Sequence, residues 1–414
     1  MSDNLSTIIR EVDKIKDIKH LQRIWHEVGW IDSSEFKYMA DWIKNSDGLV
    51  AEINGQPECY VTSIQGDFKY QENLLPFSCI SGVTTSLIAR KQQFAGKATA
   101  QKIAKDAING AVICGLGMFE QGFYNQLGFG NGTYEYFIHF TPASLKIKTP
   151  FRVPERLTKK NLKDIQWSRE NRFRKHGSCN LPKVTTKFEI SSSSKQFGLG
   201  YRDKNRKLTH HVWLYGYGSE NGPMSVIWMA YQNYDQFLEL MALLKSLGDQ
   251  IMLIRMIEPP GIYIQDLLDK PFYHRELSKD SKYMNQNKSF AFWQLRILDI
   301  YQCIKVTELP INNFSFNLKL TDPISTFLDK NSNWNGISGD YIITLGPKSL
   351  CIKGNKPKLD TLETSVNGFT RMWAGVLLAS SLQLSEKFIA NENLIKKLDV
   401  AFSSLPKPHP NWEF

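Results

Sequence analysis

The 414-residue sequence predicts a mixed α/β chain of several domains. Length is the first reason, because at about 100–200 residues per domain the chain should hold about two to four domains, with three the central expectation. Alternation is the second: strand-like apolar runs alternate with segments of helical period both before residue 150 and between residues 150 and 310, the ordering from which α/β and α+β folds are built. Composition agrees, since 42% hydrophobic and 22% charged residues are ordinary globular values. No run approaches the ~18 consecutive apolar residues of a membrane helix. The opening MSDNLSTIIREVDK lacks the apolar core of a secretory signal, so a soluble, cytoplasmic protein without membrane insertion is expected.

The elements follow in order. Ile18, Leu21, Trp25 and Val28 recur at helical spacing, and Ser33 or Ser34 can cap a second helix. LVAEI, the dipeptide Asn54-Gly55 and CYVTSI predict a β-hairpin, since a two-residue turn wants positive φ at both central positions. A strand over about Phe77 to Thr85 leads into the basic loop ARKQQFAGKA. There follows a helix in which Ala100, Ile103, Ala104, Ala107 and Ile108 share one face, ended by Gly110. AVICGL is a short buried strand, and MFEQG leads from it into a short aromatic helix at FYNQLGFG.

Residues 149–157, rich in proline and charge, read as a linker into a second domain, and ISSSSKQ reads as a loop. SVIWMAY, then Phe237, Leu240, Met241 and Leu244 at helical spacing, then QIMLIRMI, make a second strand–helix–strand unit without a basic loop. A last module over 306–414 carries the strands DYIITL and SLCIK and a helical region from Phe369 to Leu382. The expected division is 1–148, 149–305 and 306–414.

Six cysteines (Cys59, Cys79, Cys114, Cys179, Cys303, Cys351) lie at irregular intervals without a C-x-x-C pair, which argues for reduced, buried thiols and no zinc site. His210 and His211 point to opposite faces of a strand and cannot share a metal, so no metal is expected. The formal charge of +10 favours a polyanionic partner. Its lysines and arginines are spread along the chain without a stripe of stacked aromatics, so nucleic acid is not expected.

The candidate chemistry lies between residues 80 and 130. A strand, a basic loop and a helix N-terminus with free N–H groups form an anion site, and Arg90, Lys91 and Lys97 add charge around it. A plain strand-to-helix connection with a solvated basic loop remains open for this segment taken alone. Downstream, FYNQLGF (123–129) places Tyr124 on a short helix after the next strand, with Phe123, Leu127 and Phe129 as core.

Together these two units resemble the GNAT acetyltransferase superfamily, in which a loop R/Q-x-x-G-x-G/A binds the pyrophosphate of acetyl-CoA and a later FYxxLGF supplies a tyrosine to the leaving thiolate. Two loop registers fit. Arg90-x-x-Gln93-x-Ala95 has the right spacing from Val83, Thr84 and Thr85 but places Gln where Gly is usual. Gln93-x-x-Gly96-x-Ala98 satisfies the letters three residues too late. The first is preferred, with Phe94, Gly96 and Lys97 completing the loop and turn. A second GNAT-like module, a smaller C-terminal module, the stretch FAFWQLRILDIYQCI and the final Phe414 extend the resemblance over the whole chain to the enhanced-intracellular-survival acetyltransferases.

That resemblance implies tandem GNAT folds, each a mixed central sheet flanked by helices, followed by a small sterol-carrier-protein-like α+β domain. It implies acetyl-CoA as co-substrate, direct transfer to a primary amine of a small polyamine or aminoglycoside-like molecule, and a homo-oligomer, a hexamer by resemblance. Tyr124 is the expected acid, and the α-carboxylate of Phe414 the expected base. With an unperturbed pKa of about 3.3–3.7, that carboxylate would need burial or a water relay. Backbone N–H groups near Val83, Thr84 and Thr85 would hold the pantetheine, while Glu27, Trp30, Glu120, Trp412 and Glu413 would line an amine pocket. Protein-lysine acetylation, and a non-catalytic scaffold binding CoA or lipid, are the competing readings.

Overall fold

The computed structural model describes residues 8–216, 220–271 and 275–412. The chain opens with β1 (Ile8–Glu11), α1 (Ile18–Glu27) and α2 (Phe36–Asn45). α1 buries Leu21, Ile24 and Trp25 along one stripe. The expected caps Ser33 and Ser34 lie inside a 3-10 turn that starts from Asp32 instead. There the Glu35 carboxylate accepts the Asp32 N–H at 2.9 Å, the reach-back bond of a capping box.

β2 (Asp47–Ile53) and β3 (Gln56–Tyr70) form the expected hairpin about Asn54 (φ 52°) and Gly55 (φ 73°). β3 then turns at Gln71 and Glu72 into β4 (Asn73–Thr85), a second hairpin that no turn-forming residue type announces. α3 (Phe94–Ile108), β5 (Ile113–Gly117), α4 (Gln121–Asn125) and β6 (Gly130–Asn131) follow.

Next come β7 (Glu135–Phe140), β8 (Glu155–Leu157), α5 (Leu162–Glu170), β9 (Cys179–Asn180), α6 (Lys183–Ser191), β10 (Gln196–Arg202), β11 (Leu208–Gly216) and β12 (Met224–Ala230). α7 (Tyr234–Ser246), β13 (Ile254–Ile257), α8 (Arg275–Ser278) and β14 (Gln286–Phe290) follow. The last segment holds β15 (Trp293–Ile297), α9 (Ile300–Lys305), β16 (Phe314–Thr321), β17 (Gly339–Leu345), β18 (Leu350–Lys353) and β19 (Thr361–Ser365). It ends in α10 (Val366–Trp373), α11 (Ala379–Leu382), β20 (Phe388–Ile389) and α12 (Glu392–Ser403).

The described strands form three mixed sheets. The first runs β1-β2-β3-β4-β5-β15-β6 with β9 on β3, the second β8-β10-β11-β12-β13-β7-β14, and the third β18-β17-β16-β19-β20. In the first sheet only β4 and β5 are parallel, and α3 makes the crossover; in the second only β12 and β13 are parallel, through α7. The two sheets repeat one plan. In each, the sixth position is taken by a strand distant in sequence: β15 in the first and β7 in the second.

Because of that exchange, the compact units do not follow the expected boundaries at 148 and 305. One unit comprises 1–133, 175–181 and 291–414, and the other 134–174 and 182–290. The final module is not a separate core. Phe68, Phe77 and Trp293 of the first sheet share one apolar cluster with Phe316, Phe369, Trp373 and Phe402 of the last segment. The second unit has its own core around Phe140, Val212, Leu240 and Ile254. Among the described residues no helix is long and apolar enough to cross a membrane.

Candidate active site

The parallel pair β4 and β5 separates at its C-terminal end. Their pairing stops at Ile80 and Leu116, while β4 continues to Thr85 beside β3 alone. A register shift opposite Tyr60 and Thr62 marks a bulge there, and Gly82 sits at φ 63°. Bulges bend a strand and redirect its groups. Residues 81–85 therefore present a strand edge that, among the described residues, no other strand covers.

The bulge is held from α1. Trp25, 5% exposed, donates its indole N–H to Thr84 Oγ1 at 2.9 Å, and Thr84 in turn donates to the Gly82 carbonyl at 3.0 Å. A β-carbon on Gly82 would lie 3.0 Å from the Trp25 ring, so this position combines a left-handed φ with close packing. Trp25 was legible in sequence only as a core position of the first helix.

Beyond β4 the loop is tethered at its start. Ser86 N–H bonds to the Glu58 carbonyl at 2.8 Å, and Leu87 N–H bonds to the Glu27 carboxylate at 2.6 Å. Glu27 also pairs with Arg23 at 3.0 Å. Its carboxylate is thus committed to holding the loop. Trp30 is 44% exposed and packs edge-on against Trp25 with ring centroids 5.5 Å apart.

Lys91 and Gln93 both have φ 62°. Gln93 is the N-cap of α3, so the loop takes a glycine-like backbone without glycine, and the register Arg90-x-x-Gln93-x-Ala95 is the one whose usual glycine position is left-handed. Gly96 has another cause: a β-carbon there would lie 2.9 Å from the Phe327 ring. The N–H groups of Phe94, Ala95 and Gly96 precede the first intrahelical bond, Lys97 N–H to the Gln93 carbonyl at 3.1 Å. Arg90, Lys91 and Lys97 are exposed. Arg90 and Lys91 precede, and Lys97 follows, the start of a 15-residue helix that carries no acidic residue in its first turn.

Tyr124 lies on α4, 7% exposed, in one apolar cluster with Ile80, Leu116, Ala98 and Ile103, with Val83 packed against that cluster. It is therefore grouped with the strands that separate. Burial, with a smaller push from the Glu120 charge, raises its phenol to about 12. Glu120 is the N-cap of α4, accepting from Gly122 N–H at 3.1 Å and Phe123 N–H at 2.7 Å. Like Glu27, it is committed to backbone.

Trp412 is 5% exposed and belongs to the large core cluster. The segment before it is docked. Thr133 Oγ1 donates to the Pro408 carbonyl, Cys179 N–H to the Pro410 carbonyl at 2.9 Å, and His409 N–H to the His176 carbonyl at 3.2 Å. Glu413 and Phe414 lie outside the described residues.

All six cysteines are free and buried. Burial drives the Cys59 thiol up to about 11 and the Cys351 thiol up to about 12. His210 bonds to Glu239 at 2.8 Å while His211 faces Ser168 at 2.9 Å. Among the described residues no cluster of potential metal ligands is present.

No family model matches the chain, and no curated protein matches it in sequence. Solved structures do match in fold along the whole length. A probable N-acyltransferase from Enterococcus faecalis superposes with a TM-score of 0.80 at 13% identity, covering 99% of this chain and all of that one. A GCN5-related N-acetyltransferase from Anabaena variabilis gives 0.77 at 14% identity, covering 99% and 100%. Eis1 from Mycobacterium abscessus gives 0.75 at 13% identity, with the same coverage. At these identities the likeness is one of fold.

Proposed function

We propose that the chain is an acetyl-CoA-dependent N-acetyltransferase acting on primary amines of a small polyamine or aminoglycoside-like molecule. One observation carries this: a strand edge at 81–85 that no described strand covers, a left-handed loop with three exposed cations beside a helix N-terminus, and a buried tyrosine all belong to one β4–α3–β5–α4 unit. The whole-length likeness to solved N-acetyltransferases supports it.

The residues fit the co-substrate. Arg90, Lys91, Lys97 and the N–H groups of residues 94–96 suit phosphate oxygens, and the edge of Val83, Thr84 and Thr85 suits the amides of a pantetheine arm. Bound acetyl-CoA would supply the thioester that the amine attacks. Tyr124 faces a thermodynamic limit as an acid, because transfer from a phenol raised to about 12 to a thiolate of ordinary pKa about 8.5 is uphill by roughly 5 kcal/mol. Its first role is therefore to donate a hydrogen bond to the charge developing on sulfur. The base in this reading is the Phe414 α-carboxylate, taken from the family resemblance alone. A cytoplasmic homo-oligomer, a hexamer by resemblance, and a sterol-carrier-like final module complete the proposal.

Titration calorimetry with acetyl-CoA tests the reading. Micromolar binding, about −8 kcal/mol, weakened in the Arg90→Ala, Lys91→Ala double variant, supports it; no heat of binding removes it. Thiol release with aminoglycosides, polyamines and a lysine peptide then identifies the acceptor, turnover of the peptide alone favouring protein acetylation. The scaffold reading rested on the missing loop glycine, and Gln93 already adopts the glycine-like backbone.

A further inference from the structure

The tyrosine helix does not hold itself. α4 has five residues, far below the roughly 12–15 at which a helix becomes marginally stable alone, and its N-terminal cap Glu120 is exposed to solvent. What fixes the other end comes from the last segment of the chain.

Three alternate carbonyls leaving α4 are each claimed by a buried donor. Asn367, on α10 and 7% exposed, donates its single Nδ2 to Asn125 O at 2.9 Å and to Phe129 O at 2.8 Å. Arg296, on β15 and fully buried, donates Nη1 to Leu127 O. Its other arm meets the equally buried Asp322 carboxylate at 2.6 Å. Asp322 is fixed by the N–H groups of Ile324 at 3.2 Å and Ile337 at 3.0 Å. The glycines of the LGFG stretch fit this clamp: a β-carbon on Gly128 would lie 2.7 Å from Arg296 Nη1, and one on Gly130 2.7 Å from the Asn367 carbonyl.

We infer that Asn367 and the Arg296–Asp322 pair are positioning residues for Tyr124, so that the last segment of the chain sets the orientation of the phenol; this rests on the acetyltransferase reading above. Buried donors on carbonyls 125, 127 and 129 hold the two turns that follow the tyrosine. Losing them lets α4 sample orientations in which the phenol misses the sulfur, while the loop at 86–97, which binds the co-substrate, is untouched.

The test uses the full chain with Asn367→Ala, and the milder Asn367→Ser, each made in the wild-type and in the Tyr124→Phe background. We expect kcat to fall about tenfold for Asn367→Ala, with KM for acetyl-CoA unchanged. In the Tyr124→Phe background the further loss is expected to be less than about twofold, because residues that act through one group are not additive. Amide exchange over 121–130 should speed up about tenfold while the amides of β4 and β5 stay as they were. Unchanged exchange at 121–130, exchange accelerated throughout, or an equal kcat loss in both backgrounds overturns the positioning role. A wild-type protein without turnover, or a fully active Tyr124→Phe, shows itself before Asn367 is changed; either removes the acetyltransferase role of Tyr124 and the positioning claim with it.

Discussion

Replacing Gln93 by glycine should leave the protein at least as stable as it is, although glycine substitutions usually weaken proteins. Gln93 sits at φ 62°, and a non-glycine residue in the left-handed region costs about 1–2 kcal/mol. Glycine removes that cost but adds freedom to the unfolded chain, worth about 0.4–1 kcal/mol. The difference runs from about zero to about 1.5 kcal/mol in favour of the variant. Glycine is also an acceptable N-cap. Ala95, two residues on and inside the first turn of α3, is the internal control, because there glycine loses about 0.5–1 kcal/mol with nothing to relieve. Urea unfolding followed by tryptophan fluorescence, at unchanged m, reads both variants against the parent. The expected signs are opposite. If Gln93→Gly lowers the midpoint as much as Ala95→Gly does, Gln93 is not left-handed in solution and the loop register is wrong. Acetyl-CoA binding by Gln93→Gly should equal or exceed that of the parent.

Other expectations follow from the same geometry. Arg90→Ala with Lys91→Ala should weaken acetyl-CoA binding by about 1 kcal/mol per exposed charge, and the difference should shrink between low and high salt; a salt-independent difference would mean that the cations act otherwise. Tyr124→Phe should lower kcat by about 10²–10³ with KM unchanged, as steady-state kinetics can show. The Tyr124 phenol is raised from 10.0 to about 12, so the native state keeps a proton that the unfolded chain loses. Its contribution is complete below pH 10 and disappears as pH rises toward 12, a loss that Tyr124→Phe should abolish in alkaline unfolding curves. His211 has the opposite sign. Burial, then the Arg169 charge, lowers it from 6.5 to about 3, so its contribution is present above pH 6.5 and falls as pH drops toward 3. Acid destabilisation should be smaller in His211→Gln. Arg296→Met should cost about 3–5 kcal/mol by leaving the Asp322 charge buried alone, and Arg296→Met with Asp322→Leu should recover most of it in urea unfolding.

The sequence by itself determined the local elements wherever short-range chemistry decides. Asn54-Gly55 specified its hairpin, the apolar period of 100–108 specified α3, and FYNQLGF announced a short helix carrying Tyr124. It also marked the basic loop that leads into α3. Where it misjudged, the missing information was non-local. The β3–β4 hairpin turns on Gln71 and Glu72 because long strands paired over many residues impose the turn. Glu27 and Glu120 looked like free carboxylates until the fold brought backbone N–H groups to them, and Trp412 looked like a pocket wall until the tail docked into a core. Only tertiary structure could decide that β15 completes the first sheet and β7 the second, since the paired residues lie more than 110 positions apart in the chain. For the same reason only the fold revealed that Trp25 props the bulge at Gly82 and that Asn367, 243 positions beyond Tyr124, clamps its helix. Hydrogen bonds to carbonyls carry no signature in side-chain pattern, because every residue has the same carbonyl to offer.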